Sequence, residues 1–376
     1  MKQEKFDRRK PYNGLPFLPP SKDIENNPVI LKSLVAASRA LATVNGNLNR
    51  LPNPLMLINT LALQEAKAST EIENIFTTED ELYKAVSETY KDDAINPATK
   101  EVLKYREALW AGFKELQPNN KIDENLIKKI FNQIKETSTG YRSPQAQVVI
   151  KRGESEFRPG EIIYTPPRAD GVIKKLMDNF IEYLNNDDLY PTDPLLKMCI
   201  SHYQFEAIHP FQDGNGRTGR ILNLLYLFSK GLLSQPVLYL SKFIILNKED
   251  YYYNLGAVTQ RNAWEPWIEF MLEAIEKTSL LTNTRINDIL SQMTSTLAYG
   301  KENIKWYNKE VNEAIYSQPY IKPKIIGDIL GKSSRTTLTK YMNELVSNKI
   351  LRACYKIRCT ELATLFCAIT RQKTQL

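Results

Sequence analysis

The stretch HPFQDGNGRTGR at residues 209–220 combines a helix end, a glycine-rich turn and a helix start. His209 closes an apolar helical pattern, and Pro210 cannot continue that helix. The glycines that follow suit a tight turn, and we expect the next helix to begin near Arg217. A glycine-rich turn at a helix N-terminus presents free N–H groups and the positive end of the helix dipole to an anion such as phosphate.

Side chains of the same stretch supply the other parts of a phosphate-transfer site. Arg217 and Arg220 are three residues apart and share one face of the first helical turn. Asp213 is a hard oxygen ligand of the kind that Mg²⁺ prefers, and His209 can accept a proton from an attacking hydroxyl. The plainer alternative is a capping histidine and an ordinary turn, but the convergence of these roles favours a phosphoryl-type transfer. The sequence contains no P-loop motif.

Residues 209–220 match the Fic signature HPFxDGNGRxGR at every specified position, so the chain resembles the Fic family. The resemblance implies a helical core that binds ATP and transfers AMP to a Ser, Thr or Tyr hydroxyl of a target protein, with release of pyrophosphate. It also implies His209 as the general base, Asp213 as the Mg²⁺ ligand and Arg220 as the partner of the γ-phosphate. The phosphates would be held by Gly214, Asn215, Gly216 and Arg217.

Two stretches outside the signature fit the same resemblance. β-like runs, the first at 145–150, predict one hairpin between residues 145 and 164. In the family such a hairpin is a flap that docks a segment of the target protein by strand addition, and Ile163 and Tyr164 would face the nucleotide. Tyr252, in a Tyr-Tyr-x-x-Leu pattern, would stack on adenine. The alternatives are a hairpin without a docking role and a tyrosine packed in the core.

Residues 69–74 read STEIEN and match Ser/Thr-x-x-x-Glu-Gly/Asn, the pattern of the Fic inhibitory helix. Ser69 and Glu73 are four residues apart and share a helix face. A carboxylate there could form a charge-assisted, bidentate pair with Arg220 and withhold that arginine from ATP. The resemblance therefore implies an N-terminal inhibitor made of Ser69, Glu73 and Asn74, with Glu73 at the edge of the ATP site. The alternative is a solvated helix glutamate.

The rest of the sequence predicts a mainly α protein. Apolar residues recur at helical spacing after Pro28 and Pro54, and the pattern continues through most of the chain. The expected fold is a Fic-type helical core with a small β-hairpin flap and a C-terminal winged-helix-like domain. The predicted division is an N-terminal helical region with the inhibitory helix (1–95), a catalytic core (96–281) and a winged helix-turn-helix-like domain (282–376).

Residues 322–345 resemble a helix-turn-helix, with the turn at Gly331. From Gly331 onwards the chain has nine basic and two acidic residues, while the net charge of the whole chain is +7. This basic excess makes a DNA-binding regulator the competing interpretation. The expected reading helix, 334–345, offers Arg335 and Lys340 for base contacts. Such units also serve as protein-docking or dimer modules.

Composition places further limits on function. The four cysteines show no zinc-site or disulfide spacing, and the first residues do not have the apolar core of a signal peptide. No stretch approaches the ~20 apolar residues of a membrane span, so a cytoplasmic protein with no membrane partner is expected. Self-modification and a homodimer remain open. So do transfer of phosphate or phosphocholine at the same site, and removal of AMP from a target.

Overall fold

The computed structural model describes residues 6–20, 24–48, 50–51, 54–86, 95–155, 158–236, 238–316, 320–354 and 361–364. Within these ranges the fold is mainly α, as predicted. The helices are α1 (Pro28–Leu48), α2 (Pro54–Ile72), α3 (Glu79–Val86), α4 (Pro97–Asn119), α5 (Glu124–Lys135), α6 (Val172–Asn185), α7 (Pro194–Ile208), α8 (Asn215–Ser229), α9 (Leu240–Leu246), α10 (Lys248–Arg261), α11 (Trp264–Asn303), α12 (Lys309–Ile315), α13 (Pro323–Leu330) and α14 (Arg335–Ser347). The strands are β1 (Ile150–Ser155), β2 (Arg158–Tyr164), β3 (Tyr320–Ile321), β4 (Leu351–Cys354) and β5 (Glu361–Thr364).

The described residues group into two compact units. The first is drawn from 1–45, 61–78 and 95–282, and the second from 46–60, 79–94 and 283–376. Parts of the predicted N-terminal region therefore group with the C-terminal residues. The division of the sequence after residues 95 and 281 stays a prediction.

Helix α7 lies at the centre of the first unit. All of its residues after the first are buried, which explains why the helix has no polar face along its sequence. Helix α8 is buried over most of its length and packs against α7, α4 and α5. The loop 209–214 therefore leaves one buried helix and enters another, and both of its ends are fixed by the core.

The motif loop turns sharply at its two ends. His209 ends α7 with a left-handed backbone φ of 50°, and Gly214 precedes α8 with a φ of 80°. Gly214 suits this conformation because it has no Cβ. The turn is complete there, so α8 begins at Asn215 rather than near Arg217 as predicted. Gly216 consequently lies in the first helical turn.

The predicted hairpin exists, but its first strand lies further along the chain. Residues 145–149 form no strand, and β1 pairs with β2 in an antiparallel ribbon with Glu154 opposite Pro159. Residues 153–160 contain glycine and proline, which are typical of a turn. Each strand of a two-stranded ribbon has an unpaired edge, however, so a proline there need not remove a ladder hydrogen bond. A bulge between Ile150 and Lys151 leaves Ile163 without an opposite residue.

The second unit contains α12 to α14 and a small sheet. Its strands are antiparallel and lie in the order β3-β5-β4. The apolar interior of this part includes Ile326 of α13 and Leu345 of α14. The Trp306 ring stacks on that of Tyr341, with centroids 4.3 Å apart. Throughout the described part of the chain, helices long and apolar enough to cross a membrane are absent.

Candidate active site

The motif loop is braced from within. Phe211 is fully buried and stacks on Phe131 of α5, with ring centroids 3.8 Å apart. The Asn215 side chain bonds the backbone of Phe211 twice, because its Oδ1 accepts from Phe211 N at 2.8 Å and its Nδ2 donates to Phe211 O at 2.9 Å. Both polar atoms of this side chain are thus used inside the loop. The part of Asn215 that an anion could meet is its backbone N–H at the start of α8.

His209 has the protonation state that a general base requires. Its Nδ1 lies 3.2 Å from the Glu206 carbonyl oxygen, which can only accept, so Nδ1 carries the proton and Nε2 keeps its lone pair. The ring is partly exposed, yet its burial lowers the pKa of His209 to about 4, even though the bond to Glu206 O acts in the opposite direction. The imidazole is therefore neutral at pH 7. His202, by contrast, is buried and lies 2.9 Å from the Tyr251 hydroxyl.

Arg142 holds the backbone around His209. Its Nε donates to His209 O at 2.8 Å, and its Nη2 donates to Pro167 O at 2.5 Å and to Ile208 O at 3.3 Å. Its own backbone N–H donates to Pro210 O at 2.9 Å. Burial lowers the pKa of Arg142 to about 10, so the guanidinium is still charged at pH 7. This residue was not predicted from the sequence, because a lone arginine distant from the motif gives no recognisable pattern.

Asp213 presents an exposed carboxylate next to the turn. One oxygen accepts from Gly214 N at 2.7 Å, and the other accepts from Lys135 Nζ of α5 at 2.6 Å. Burial would raise the pKa of Asp213, but Lys135 and the Gly214 N–H outweigh it and hold the pKa below its usual value. A hard carboxylate here fits Mg²⁺, which commonly takes one or two carboxylates together with substrate phosphates. Among the described residues no group of three or more His, Cys, Asp or Glu side chains could hold a metal ion, so phosphate and water oxygens would complete the set.

The first turn of α8 offers its backbone N–H groups to an anion, because its cap residue, Gly214, has no side chain to occupy them. Arg217, a predicted phosphate contact, is 3% exposed and pairs with Glu101 of α4, which also pairs with Lys104 at 3.1 Å. Burial would raise the pKa of Glu101, but Arg217 and Lys104 outweigh this effect and hold the pKa below its usual value. The guanidinium of Arg217 is engaged by this carboxylate, and its contact with phosphate stays a prediction.

Arg220 is bound by the segment that the sequence analysis identified as an inhibitor. Its Nε donates to Ser69 Oγ at 2.7 Å, while its Nη2 donates to Ser69 O at 2.9 Å and to Glu73 Oε1 at 2.7 Å. The arginine side chain is 2% exposed and that of Glu73 is 37% exposed. Burial would lower the pKa of Arg220, but the Glu73 carboxylate more than compensates and raises it. One arginine thus makes three hydrogen bonds, two to Ser69 of α2 and one to Glu73, which directly follows the last residue of α2.

The Glu73 carboxylate can approach α8 because residue 216 is glycine. A Cβ on Gly216 would lie 2.5 Å from Glu73 Oε1 and 2.9 Å from Arg220 Nη1, distances at which atoms must shift. The carboxylate therefore lies against the first turn of α8, where the helix dipole favours a negative charge. This is the same place that the sequence predicts for a phosphate.

The end of α2 explains the last position of the inhibitory pattern. Asn74 has a left-handed φ of 61°, a conformation that glycine and asparagine adopt at lower cost than other residues. Lys248 of α10 donates from Nζ to Ile72 O at 2.6 Å and to Asn74 Oδ1 at 3.1 Å, so it binds a terminal helix carbonyl. Burial lowers the pKa of Lys248. This lysine, which was not predicted from the sequence, holds the backbone before Glu73 and the side chain after it.

Two further carboxylates lie in the interior near Arg220. Glu65 accepts from Ser241 N at 2.9 Å and from the Ser241 and Tyr105 hydroxyls. Glu206 has one oxygen, Oε1, without a hydrogen-bond partner among the described residues. Burial raises the pKa of each carboxyl to about 7, although the positive charge of Arg220 acts to lower it. Neither residue was singled out from the sequence.

The three predicted nucleotide contacts outside the motif lie in different surroundings. Tyr164 is buried, and its hydroxyl donates to Ala207 O at 2.8 Å, which favours a packing role. Ile163 is partly exposed at the bulge of β2. Tyr252 is partly buried and meets Tyr251 edge to face, with ring centroids 5.1 Å apart. Their contact with a nucleotide stays a prediction.

A neutral histidine beside a helix N-terminus, with a buried arginine bound by the carboxylate of Glu73, is an arrangement suited to phosphate binding and proton transfer. The family comparisons agree. A family model described as "Fic/DOC family N-terminal" matches residues 31–114, and one described as "Fic/DOC family" matches residues 121–227. The chain belongs to the Fic/DOC family.

Curated relatives carry the name protein adenylyltransferase Fic. The protein of Drosophila erecta is 29% identical over 175 residues, covering 46% of this chain and 34% of the relative. That of Drosophila mojavensis is 27% identical over 175 residues, covering 46% and 33%. This chain therefore spans about a third of the length of the curated relatives it matches.

Solved structures share the fold. A Fic family protein from Desulfovibrio desulfuricans G20 has a TM-score of 0.56 and 22% identity, and the match covers 90% of this chain and 96% of the other. Residues 134–508 of Fic-1 from C. elegans give a TM-score of 0.52 and 17% identity, covering 70% and 73%. At these identities the likeness supports the fold alone, and it confirms the predicted Fic-type helical core.

Proposed function

We propose that this protein transfers AMP from ATP to a hydroxyl side chain of a target protein, and that Glu73 restrains this activity. The observation that carries the proposal is the set of bonds that Arg220 makes to Ser69 and Glu73 against the first turn of α8, beside the neutral His209. The names of the curated relatives support the same reaction class.

The reaction follows from the protonation state of His209. Its free Nε2 takes the proton of a Ser, Thr or Tyr hydroxyl as the hydroxyl oxygen attacks the α-phosphorus of ATP. A bond forms between that oxygen and the α-phosphorus, and the bond from the α-phosphorus to the bridging oxygen of the β-phosphate breaks. Pyrophosphate leaves with the electron pair. Arg142 keeps His209 in place through its bonds to the backbone on both sides of the ring.

Binding of the triphosphate rests on the start of α8. The backbone N–H groups of its first turn, with the dipole of the helix, attract the phosphate oxygens, and Arg220 pairs with the γ-phosphate. Asp213 would hold Mg²⁺, which would neutralise phosphate charge when bound. Lys135 now pairs with that carboxylate and would have to share or leave it.

Inhibition follows from competition for one place. The Glu73 carboxylate and a γ-phosphate both need Arg220 and the space above Gly216. Since two negative groups cannot share that space without strong repulsion, ATP binds in a reactive position only when Glu73 has moved. The hydrogen bonds of Ser69, Lys248 and Arg220 hold Glu73 in the position that blocks ATP binding.

The β1–β2 ribbon would receive the target protein. Each of its strands pairs on one side only, so backbone groups on an outer edge are available to an added strand. A segment docked in this way would carry its hydroxyl residue towards the His209 loop. The same reaction on a hydroxyl of this chain itself would appear as self-modification.

Transfer of label from ATP tests the proposal. With ATP labelled at the α-phosphate, Glu73→Gly should label protein about 10- to 100-fold faster than the wild type, because a charge-assisted hydrogen bond contributes about 1.5–3 kcal/mol. With ATP labelled at the γ-phosphate, no protein label should appear. His209→Ala in the Glu73→Gly background should abolish transfer and leave ATP binding intact.

Glu71→Gly is the matched control. Glu71 lies in the last turn of α2, two residues before Glu73, and pairs with Lys67 at 2.7 Å rather than with Arg220, so this variant loosens the helix without freeing the arginine. It should stay as slow as the wild type. Equal activation by both glycine variants would remove the specific role of Glu73, and label arriving from the γ-phosphate would replace AMP transfer by phosphate transfer. Loss of AMP from a labelled target would assign removal of AMP instead.

A further inference from the structure

The C-terminal part of the second unit has the element order of a winged helix. Its elements follow one another as α12, the short strand β3, α13, a turn, α14, β4 and β5. In the sheet, β3 lies beside β5, and the strand order is β3-β5-β4. The two central helices are joined by a turn of four residues, 331–334. Gly331 ends α13 at a φ of 63°, which suits the tight turn between the helices of such a motif.

A second glycine sets how closely the two helices approach. A Cβ on Gly327 of α13 would lie 2.5 Å from Lys332 O and 2.9 Å from a methyl carbon of Leu338. Lys332 N donates to Gly327 O at 2.8 Å across the turn. The apolar side of α14 is buried through Met342 and Leu345. One face of α14 is therefore fixed inside this part, and its position does not depend on a partner.

The opposite face of α14 is exposed and polar. Its exposed side chains, in order along the helix, are Arg335, Thr336, Thr339, Lys340, Asn343 and Ser347. Arginine and lysine match the acceptor pair of guanine in the major groove, asparagine matches adenine, and hydroxyls bond either. Most of them lie in the N-terminal part of the helix, the part that enters the groove in helix-turn-helix proteins. The face therefore offers more base-reading groups than Arg335 and Lys340, on which the sequence prediction relied.

The charges around this face suit a polyanion. Lys332 precedes α14, and Lys349 and Arg352 follow it, and all three are exposed. The acidic residue within α14, Glu344, accepts a hydrogen bond from Trp306 Nε1 and is only partly exposed. Such flanking cations neutralise phosphates and position a reading helix without specifying sequence.

We propose that α14 reads double-stranded DNA in the major groove, with the exposed cations on either side of it bound to the phosphate backbone. This binding function goes beyond the proposed AMP transfer and does not depend on it. The DNA class follows from the combination of a rigid, exposed helix with base-reading side chains and flanking cations. A-form RNA has a major groove too deep and narrow for side chains to read.

The full-length chain tests this with random-sequence duplex DNA as the probe. Repeated selection at about 50 mM salt should enrich a sequence that binds at least about 10³-fold more tightly than unrelated duplex. Arg335→Ala and Asn343→Ala should each weaken binding to that sequence by about 10- to 100-fold and relax the preference at one base position. Lys349→Ala should weaken binding to all duplexes similarly and lower the salt dependence by about one phosphate.

Two controls make the outcome decisive. Lys305→Ala removes an exposed lysine of the same unit that lies outside α14 and its flanks, and it should bind DNA as the wild type does. His209→Ala should also bind DNA normally, because the proposal is independent of catalysis. Failure to bind any duplex at low salt would overturn the proposal. So would binding without an enriched sequence, equal binding of duplex RNA, or an enriched sequence whose affinity is unchanged by Arg335→Ala and Asn343→Ala.

Discussion

Arg220 donates to Glu73 and to Ser69 at the same distance, 2.7 Å, from two different nitrogens. The arginine is buried, and its Nη2 also donates to the Ser69 carbonyl, so the two residues of the inhibitory pattern bind one guanidinium together. The serine in that pattern is therefore a second direct partner of Arg220. It does more than support the helix.

This shared binding predicts a graded effect of Ser69. In Ser69→Ala the Nε bond of Arg220 is lost, while the bonds to Glu73 and to the Ser69 carbonyl are kept. We expect α-labelled AMP transfer to rise, but by less than in Glu73→Gly, because one of the three bonds is removed. Thr70→Val is the control, since the Thr70 hydroxyl bonds Ala66 O within α2 and does not contact Arg220. An activity of Ser69→Ala equal to that of Thr70→Val would contradict the direct role of Ser69.

Arg142 should control the rate of transfer without controlling ATP binding. Its guanidinium bonds three backbone oxygens around His209, and Arg142→Gln would leave buried carbonyls with fewer donors. In the Glu73→Gly background, we expect kcat to fall at least tenfold with the KM for ATP little changed. The free energy of unfolding should fall too, by about 1.5–3 kcal/mol for each hydrogen bond of the guanidinium that glutamine does not replace.

The split between kcat and KM distinguishes a positioning role from a purely structural one. Arg168→Gln provides the comparison, because Arg168 directly follows Pro167, whose carbonyl Arg142 binds, and its own side chain is partly exposed. A fall in stability alone, with kcat unchanged in the folded fraction, would mean that Arg142 supports the fold and does not position His209.

The contribution of Glu206 to the free energy of unfolding should fall as the pH rises from 4.5 to about 7. Burial raises the pKa of this carboxyl from 4.5 to about 7, so between these values the folded state keeps a proton that the unfolded state has lost. The protonated carboxyl therefore makes its full contribution to the free energy of unfolding below pH 4.5, and this contribution is lost as the pH rises to about 7. Glu206→Gln cannot ionise and should escape the loss.

Urea unfolding at pH 5 and at pH 8 measures this effect. Relative to the wild type, Glu206→Gln should gain stability at pH 8 and much less at pH 5, with a difference of up to about 3 kcal/mol. Glu65 has a pKa raised to about 7 as well, so the variant should keep part of the pH dependence. A variant that is equally destabilised at both pH values would show that the Glu206 carboxylate is ionised and favourable in the folded protein.

The parts of the site that could be predicted from the sequence are those whose residues lie close together along the chain. Residues 209–220 lie together because two buried helices hold the ends of one short loop, and Ser69 and Glu73 share a face because they are one turn apart. The mainly helical fold could be predicted because helical periodicity is also local, and the Fic-type core could be predicted because residues 209–220 match the family signature. The strand positions of the hairpin could not, because glycine and proline mark turns and are also tolerated on exposed strand edges.

Residues that act on the site from elsewhere gave no signal in the sequence. Lys135, Arg142 and Lys248 are single cations distant in sequence from the motif, and their partners are backbone oxygens, one side-chain amide oxygen and one exposed carboxylate. Lone lysines and arginines are usually solvated, so nothing in their spacing distinguishes these three. Their contacts depend on how α5, α10 and the segment before β1 pack around the loop.

Gly216 should separate the space needed by ATP from the space needed by Glu73. In the Glu73→Gly background the carboxylate is gone, and a Cβ on residue 216 would enter the place that Glu73 Oε1 now fills. If the γ-phosphate takes that place, Gly216→Ala should raise the KM for ATP and lower transfer at limiting ATP by at least tenfold. Gly256→Ala in the same background is the matched control, because a Cβ there would meet only Gln260 Nε2, at 3.6 Å. Unchanged ATP kinetics in the Gly216→Ala variant would mean that phosphate and carboxylate occupy different places, and inhibition would then act through Arg220 alone.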